Sequence, residues 1–339
     1  LIAEGSTVNL TAKSASAVVD SVVNVSGTVL ASGVHEDGGA IVLTADNVTT
    51  TGDAVLRADG GTNGNGGTIT AYANKSGSYD GTFSAKGGAE GGNGGAIETS
   101  GKKVEIASTI SVNTLAPRGE TGNWTIDPDD LTVTDGANAG AVDPDASTIT
   151  NGTVVNQLLI TSVTLAANNS ITVDGAINSS GAGNLALNDQ NADGDLTINL
   201  NATIKLGSGK TLSGQGSVVN VANSGSIQNG VDVAKAGGAT VNVAAGTYEA
   251  GISINKNGLT LSGAEGTKIN IVSGTTTSNG GVGVKINANN VTLKGFEFAG
   301  DVVGDQSTLD WNAAGYSWGV QVLGATNTNI SIIDNNFYN

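Results

Sequence analysis

The sequence predicts an all-β protein folded as a parallel β-helix, a solenoid of short strands stacked in register. Three observations support this prediction. Glycine doublets recur 28 residues apart at Gly38-Gly39, Gly66-Gly67 and Gly94-Gly95, each followed by a small residue and an isoleucine. Runs of alternating apolar and polar residues, separated by Gly, Asn and Asp clusters, have the pattern of strands and turns. No helix-periodic segment is long enough to provide the crossover helices of an α/β fold.

Alternation is clearest in the first part of the chain, where each short run has the period of a strand with one buried face. We expect the glycine doublets to lie at the corners of successive coils, where glycine provides positive φ angles. We also expect Asn289-Asn290 and Asn335-Asn336 to lie at corners and to share stacked hydrogen bonds. The runs are TVNLTA (7–12), VVNVSGTVLA (22–31), AIVLTAD (40–46), AVLRAD (54–59), TITAYA (68–73), GTFSAK (81–86) and KVEIA (103–107).

Two short helices are expected to interrupt the strands. The first lies near 150–160, within TNGTVVNQLLITSVTL, and the second covers 226–236. Ser226 has the residue type of an N-cap, and Gly237-Gly238 provides a stop signal. We interpret both helices as caps of the solenoid or as excursions from it.

Composition and charge narrow the class of protein. The chain has 339 residues, 52 of them glycine, and a net charge of −16 at pH 7. Such an acidic surface argues against nucleic acid as a partner, because a phosphate backbone requires Lys and Arg. The chain has no cysteine, so an exported protein of this composition gains its stability from repetition or metal rather than from disulfides.

Two stretches carry a family resemblance: GGNGGAIETSGKKVEI (91–106) and APRGETGNWTIDPDDLTV (116–133). They resemble a stretch typical of filamentous-haemagglutinin-like adhesins of the two-partner secretion type. The resemblance covers residues 1–135 well. It implies a right-handed β-helix, export by an outer-membrane partner transporter, and adhesion at the cell surface.

A second resemblance covers the later part of the chain. Residues 226–262 are similar to the opening of right-handed β-helix proteins of the pectate lyase and pectin esterase type, in which a capping helix precedes the first coil. Neither resemblance transfers catalytic residues. We therefore expect haemagglutinin-like coils over 1–135, an irregular β-rich continuation over 136–225, and a pectate-lyase-like β-helix over 226–339 that continues beyond the last residue.

The segment from Asp301 to Trp318 concentrates acidic and aromatic residues, including Asp310, Trp311 and Tyr316. We predict it as a ligand-contact site, since aromatic faces and carboxylates are suited to binding sugars. Two alternatives stay open. The carboxylates are also compatible with glycoside hydrolysis, and the segment is equally compatible with a loop that covers the side of the solenoid.

The segment DQNADGD is a weak calcium candidate. Asp189, Asn191, Asp193 and Asp195 alternate as in a calcium loop, but Leu200 stands at the twelfth position, where such a loop needs a carboxylate. An acidic corner turn is the alternative, and we assign no cofactor.

The motif GYSWG matches a nucleophile elbow, yet the chain has a single histidine, His35, far upstream. We therefore predict a non-catalytic, secreted cell-surface adhesin or structural rod of a Gram-negative-type bacterium, which contacts host or neighbouring cells, including their glycans. A polysaccharide-binding or polysaccharide-degrading β-helix enzyme is the alternative. A subunit of a surface filament or sheath, associating end to end, is a further alternative.

Overall fold

The computed structural model describes residues 1–13, 20–33, 36–136, 146–191, 194–271, 281–300, 318–323 and 327–338. The chain is all-β with long parallel sheets, which confirms the predicted class. Two short helices occur within these described ranges, α1 (Asn151–Leu158) and α2 (Ile227–Val233). Neither of them is long and apolar enough to cross a membrane.

Strands of the first part of the chain are mostly short, with three longer ones of eleven or twelve residues. They are β1 (Thr7–Thr11), β2 (Val22–Val25), β3 (Thr28–Leu30), β4 (Ala40–Thr50), β5 (Val55–Arg57), β6 (Thr68–Tyr79), β7 (Thr82–Ser84), β8 (Ala96–Ile106), β9 (Ser111–Asn113), β10 (Asn123–Asp127), β11 (Asp130–Thr134), β12 (Ser147–Thr150), β13 (Ser162–Ala167), β14 (Ser170–Val173), β15 (Ile177–Asn178) and β16 (Leu185–Asp189).

The later strands follow the same pattern of short elements separated by turns. They are β17 (Thr197–Leu200), β18 (Ile204–Lys205), β19 (Leu212–Gly214), β20 (Val218–Val221), β21 (Thr240–Val243), β22 (Gly246–Glu249), β23 (Ile252–Ile254), β24 (Thr260–Ile271), β25 (Val282–Ile286), β26 (Thr292–Gly300), β27 (Trp318–Val322), β28 (Ser331–Ile333) and β29 (Asn336–Tyr338).

The chain forms two compact units. Unit 1 comprises Leu1–Leu196 and Ile204–Ser213, and unit 2 comprises Thr197–Thr203 and Gly214–Asn339. In both units the strands pair in parallel with strands of the following repeat, a pattern compatible with a β-helix.

Unit 1 has its core in columns of inward-facing side chains. Parallel pairing places Ile69 between Ile41 and Ile97, and Trp124 follows Ile97 in the same column. All four side chains are buried. The Trp124 indole N–H donates to Oγ1 of buried Thr99 at 3.0 Å, so the polar atom in this column is satisfied. Each repeat buries its apolar residues against its neighbours, as repetitive folds require.

The glycine doublets have a different physical role from the predicted one. They directly precede β4, β6 and β8, but none of their residues has a positive φ. A Cβ added to Gly67 would lie 2.0 Å from the carbonyl oxygen of Gly39, and one added to Gly95 would lie 2.0 Å from that of Gly67. The doublets are glycine because neighbouring backbones approach closely there.

Helix α1 begins at the position predicted for the first helix and covers the exposed edge of a small sheet. Parallel strands β3, β5, β7 and β9 form this sheet. The buried Gln157 amide accepts from the backbone N–H of Val112 at 2.9 Å and donates to the carbonyl of Ile110 at 3.1 Å. One side chain therefore continues the strand pairing where the sheet ends.

Unit 2 repeats these features. Its column Val219, Val241, Leu261 and Leu293 is fully buried and in parallel register. Helix α2 is shorter than predicted, but its N-cap is Ser226, whose hydroxyl accepts from the backbone N–H of Asn229.

Helix α2 also contacts a strand edge through a glutamine. The Gln228 amide accepts from the backbone N–H of Ser253 at 2.7 Å, on the first strand of the sheet β23–β25–β27.

Asn290 has φ 57° and its Oδ1 accepts from Nδ2 of Asn329 at 2.8 Å, so asparagine stacking at turns occurs here.

Candidate functional site

A surface cleft of about 440 Å³ lies in unit 1, where the turns after β3, β5, β7 and β9 stack. Its lining includes Asp59, Lys86 and Leu115, each two residues after the end of its strand. Glycines of the same turns complete the floor. Because the strands are in register, equivalent positions of successive repeats come together at one place on the surface.

Backbone hydrogen bonds extend the strand pairing into these turns. Gly60 N–H donates to the carbonyl of Lys86 at 2.8 Å, and Gly87 N–H donates to that of Leu115 at 3.1 Å. A Cβ at Gly88 would lie 2.1 Å from the carbonyl oxygen of Gly61. The floor is therefore fixed backbone without side chains, which leaves the space above it open.

The Asp59 carboxylate lines the cleft. Its Oδ1 accepts from the Ser84 hydroxyl at 2.5 Å and from the backbone N–H of Lys86 at 2.8 Å. Its backbone N–H donates to Oγ of Ser32 at 3.2 Å. The backbone bond comes from the repeat before β5 and the two carboxylate bonds come from the repeat after it, and these two hold the carboxylate in one orientation.

Two cations flank this carboxylate. Nε of Arg57 lies 3.5 Å and Nζ of Lys86 lies 3.8 Å from Oδ2 of Asp59. The Asp59 side chain is 15% exposed, whereas those of Arg57 and Lys86 are 48% and 44% exposed. The anion is thus shielded and the cations face solvent, an arrangement suited to holding a polar ligand.

A second group of charges lies on strands β8 and β10. Asp127 pairs with Ser100, whose hydroxyl donates to Oε1 of Glu98 at 2.7 Å. Partial burial first, and then the negative charges of Glu98 and Asp129, raise the pKa of Asp127 to about 7. A carboxyl group with a raised pKa is suited to act as a general acid.

Most of the predicted contact site lies outside the described residues. This applies to Asp301, Asp310, Trp311 and Tyr316. Trp318 is the first residue of β27, and its backbone pairs with Val282. The prediction for this segment stays a prediction.

The calcium candidate is described in part. Oδ2 of Asp189 accepts from the backbone N–H of Gly194 at 2.9 Å, as in an acidic turn. Asn191 and Asp195 also belong to the described residues, whereas Asp193 does not. Among the residues that the structure describes, no group of three His, Cys, Asp or Glu side chains could hold a metal ion.

Sequence reasoning missed the cleft, although a signal for it was present. Aligning AVLRAD (54–59) with GTFSAK (81–86) residue by residue, at a spacing of 27 rather than the 28 of the glycine doublets, places Asp59 beside Lys86 and Arg57 beside Ser84. The structure has this register. The chain matches no protein-family model and no curated protein.

Proposed function

We propose that this chain is part of a non-catalytic, secreted cell-surface adhesin, built as a right-handed parallel β-helix of the filamentous-haemagglutinin-like type. The in-register columns of both units support the β-helix. In such a fold, added coils lengthen the molecule while each coil–coil interface stays the same, which is the requirement for presenting binding surfaces away from a cell.

The observation that carries the proposal is the cleft around Asp59. It is an open depression with a glycine floor and the exposed Lys86 side chain, and its Asp59 carboxylate is already engaged by Ser84 and Lys86. These features suit reversible binding of a hydrophilic ligand such as a glycan on another cell. We further propose export through an outer-membrane partner transporter and an extracellular location, which follow from the family resemblance.

A blocking variant tests this function. Ala89 is exposed and lines the cleft, so Ala89→Trp should fill the cleft without disturbing buried residues. The matched control is Ala264→Trp, at an exposed position of unit 2. We expect the purified wild-type protein and the control to bind a glycan array or intact cells, and the blocking variant to lose that binding. Equal binding by all three proteins would contradict a role for the cleft.

A second candidate function is polysaccharide cleavage, favoured by the carboxyl groups of Glu98 and Asp127 on neighbouring strands. Asp127, with its pKa raised to about 7 by burial first and by Glu98 next, has the property of a general acid. Release of reducing ends from a polysaccharide panel, abolished in both Glu98→Gln and Asp127→Asn, would support it. A panel without product formation would leave the adhesin as the better account.

A further inference from the structure

Several acceptors of the cleft of unit 1 are already engaged, whereas its cationic side chains still have hydrogen-bond donors to offer. The carboxylate of Asp59 is mostly shielded and is engaged by four groups of neighbouring residues. The carbonyls of Gly61 and Thr62 accept from the backbone N–H groups of Gly64 and Glu90. A guanidinium carries five N–H donors and an ammonium three, so Arg57 and Lys86 have donors beyond those facing Asp59. A ligand that accepts hydrogen bonds is therefore suited to these cations.

Two basic residues meet at one carboxylate of the cleft, although the chain as a whole is acidic. Lys and Arg number 14 against 30 Asp and Glu, yet Arg57 and Lys86 both flank this one carboxylate. Arg118 is exposed and directly follows Pro117, which lines the cleft. Both arginines of the chain are thus at or next to the cleft. Lys86 lines the cleft and Arg57 lies beside it, and these two cations outnumber the single Asp59 carboxylate between them, which favours an anion at this group.

The size and lining of the cleft indicate what kind of anion fits. A volume of about 440 Å³ lies within the range of small-molecule pockets, roughly 300–1,000 Å³. An inorganic anion needs far less. Leu115, Pro117 and the glycine floor supply an apolar surface, which suits the C–H face of a sugar ring, and the exposed Thr62 hydroxyl suits a sugar hydroxyl.

We propose that the cleft binds a carboxylate-bearing sugar, with the carboxylate held by the Arg57 guanidinium and the Lys86 ammonium. Asp59 is a positioning residue, because it holds both cations at the cleft while its own oxygens stay engaged. Arginine is suited to this role since its planar fork matches a carboxylate with two parallel hydrogen bonds. This inference rests on the proposed function and specifies the class of glycan that the adhesin recognises.

The test compares one sugar with and without its negative charge. An oligogalacturonate and its methyl ester have the same rings and hydroxyls, but only the first carries carboxylates. We expect the wild-type protein to bind the acid form in isothermal titration calorimetry and to bind the ester roughly tenfold more weakly, since charge-assisted hydrogen bonds are lost. A heparin oligosaccharide serves as the third probe, because it adds sulfate groups to the same anionic chemistry.

Variants locate the binding. The double variant Arg57→Gln/Lys86→Gln removes the charge of Lys86, which lines the cleft, and that of Arg57 beside it. The variant Lys13→Gln/Lys102→Gln removes two exposed charges elsewhere in unit 1. We expect the first pair to weaken binding of the acid form by roughly tenfold or more, and the second pair to leave it unchanged. Arg57→Lys keeps the charge but loses the planar fork, so it should give an intermediate loss. Thermal unfolding of each variant confirms that the fold is retained.

Three results would overturn this inference while leaving the proposed function intact: equal binding of acid and ester, binding of the heparin probe alone, or binding unaffected by the Arg57 and Lys86 changes. If the wild-type protein bound no saccharide and no cell surface at all, the proposed function would fail together with it. A variant that failed to unfold cooperatively would be replaced by Ala89→Trp, which blocks the same cleft and should abolish binding of the acid form.

Discussion

The side-chain amide of Gln157 accepts from the backbone N–H of Val112 in strand β9 at 2.9 Å and donates to the carbonyl of Ile110, the residue just before that strand. Gln157 on helix α1 therefore acts as a substitute for the next strand. Gln228 on α2 does the same for Ser253 in unit 2. Both helices end a small parallel sheet with one glutamine, which removes a free edge that would otherwise pair with another chain.

We predict that Gln157→Leu destabilises the protein strongly. The substitution leaves the N–H of Val112 and the carbonyl of Ile110 buried without partners, at a cost of about 1–3 kcal/mol for each group. Asn156→Ala, at an exposed position on the same helix, controls for helix propensity and should change stability by about 0.5 kcal/mol or less. Urea unfolding monitored by circular dichroism measures both. Similar stability of the two variants would contradict the edge-closing role.

The glycine doublets give a second prediction. Gly95→Ala places a Cβ 2.0 Å from the Gly67 carbonyl oxygen, whereas a Cβ at Gly91 lies 3.4 Å from its nearest neighbour, Oδ1 of Asn63. We expect Gly95→Ala to lower the free energy of unfolding by about 1–3 kcal/mol through overpacking. Gly91→Ala should be neutral or slightly stabilising. If both alanines were tolerated equally in thermal unfolding, close backbone approach would not be the reason for the doublets.

How far the sequence predicts this fold is clear from the same doublets. Their 28-residue spacing predicted the pairing of β4, β6 and β8, because in-register stacking demands equal repeat lengths. Their role was misread, since a glycine needed for close approach and a glycine needed for positive φ have the same sequence signal. The N-cap Ser226 was identified because hydroxyl capping acts within one turn.

The candidate site was harder to predict, because its residues come from separate repeats. Asp59 and Lys86 meet only when β5 and β7 are placed side by side, and no local motif joins them. The ligand-contact site was instead predicted where aromatic and acidic residues are frequent in the sequence, around Trp311 and Trp318. The density of aromatic and acidic residues along the chain reflects only its local composition. A site on a repetitive fold depends instead on which residues the strand register places side by side.

A column of polar side chains at one turn of unit 1 provides the third prediction. Oδ1 of Asp37 accepts from the backbone N–H of Asn65, Oδ1 of Asn65 accepts from that of Asn93, and Oδ1 of Asn93 accepts from that of Glu120. We expect Asn93→Ala to cost about 1 kcal/mol by removing the last of these acceptors. Asn93→Asp keeps the acceptor oxygen and should cost less.

Asn63→Ala is the matched control for this column, since Asn63 is exposed in the same turn but belongs to none of these three hydrogen bonds. Amide hydrogen exchange provides a direct readout: the N–H of Glu120 should exchange faster in Asn93→Ala and at the wild-type rate in Asn63→Ala. Unchanged exchange at Glu120 in both variants would show that the column does not protect this turn.

Asp127 gives a pH-dependent prediction. Burial, with the charges of Glu98 and Asp129, raises its pKa from 3.8 to about 7 in the folded protein. Between about pH 4 and pH 7 the folded state therefore binds more protons at this site than the unfolded chain does. The free energy of unfolding must then fall as pH rises through this window and stay lowered above it. Allowing for the partial exposure of the group, the loss is on the order of 1–2 kcal/mol.

Asp127→Asn removes this titration, so we expect the variant to gain stability relative to wild type at pH 8 and to gain little at pH 4. Glu98→Gln removes one of the charges that raise the pKa, and should shift the window to lower pH without abolishing it. Asp53→Asn, an exposed carboxylate elsewhere in unit 1, controls for net charge. Melting temperatures of the four proteins are measured from pH 4 to pH 8. If the melting temperatures of Asp127→Asn and wild type differed by the same amount across that range, Asp127 would ionise in the folded protein as it does in the unfolded chain.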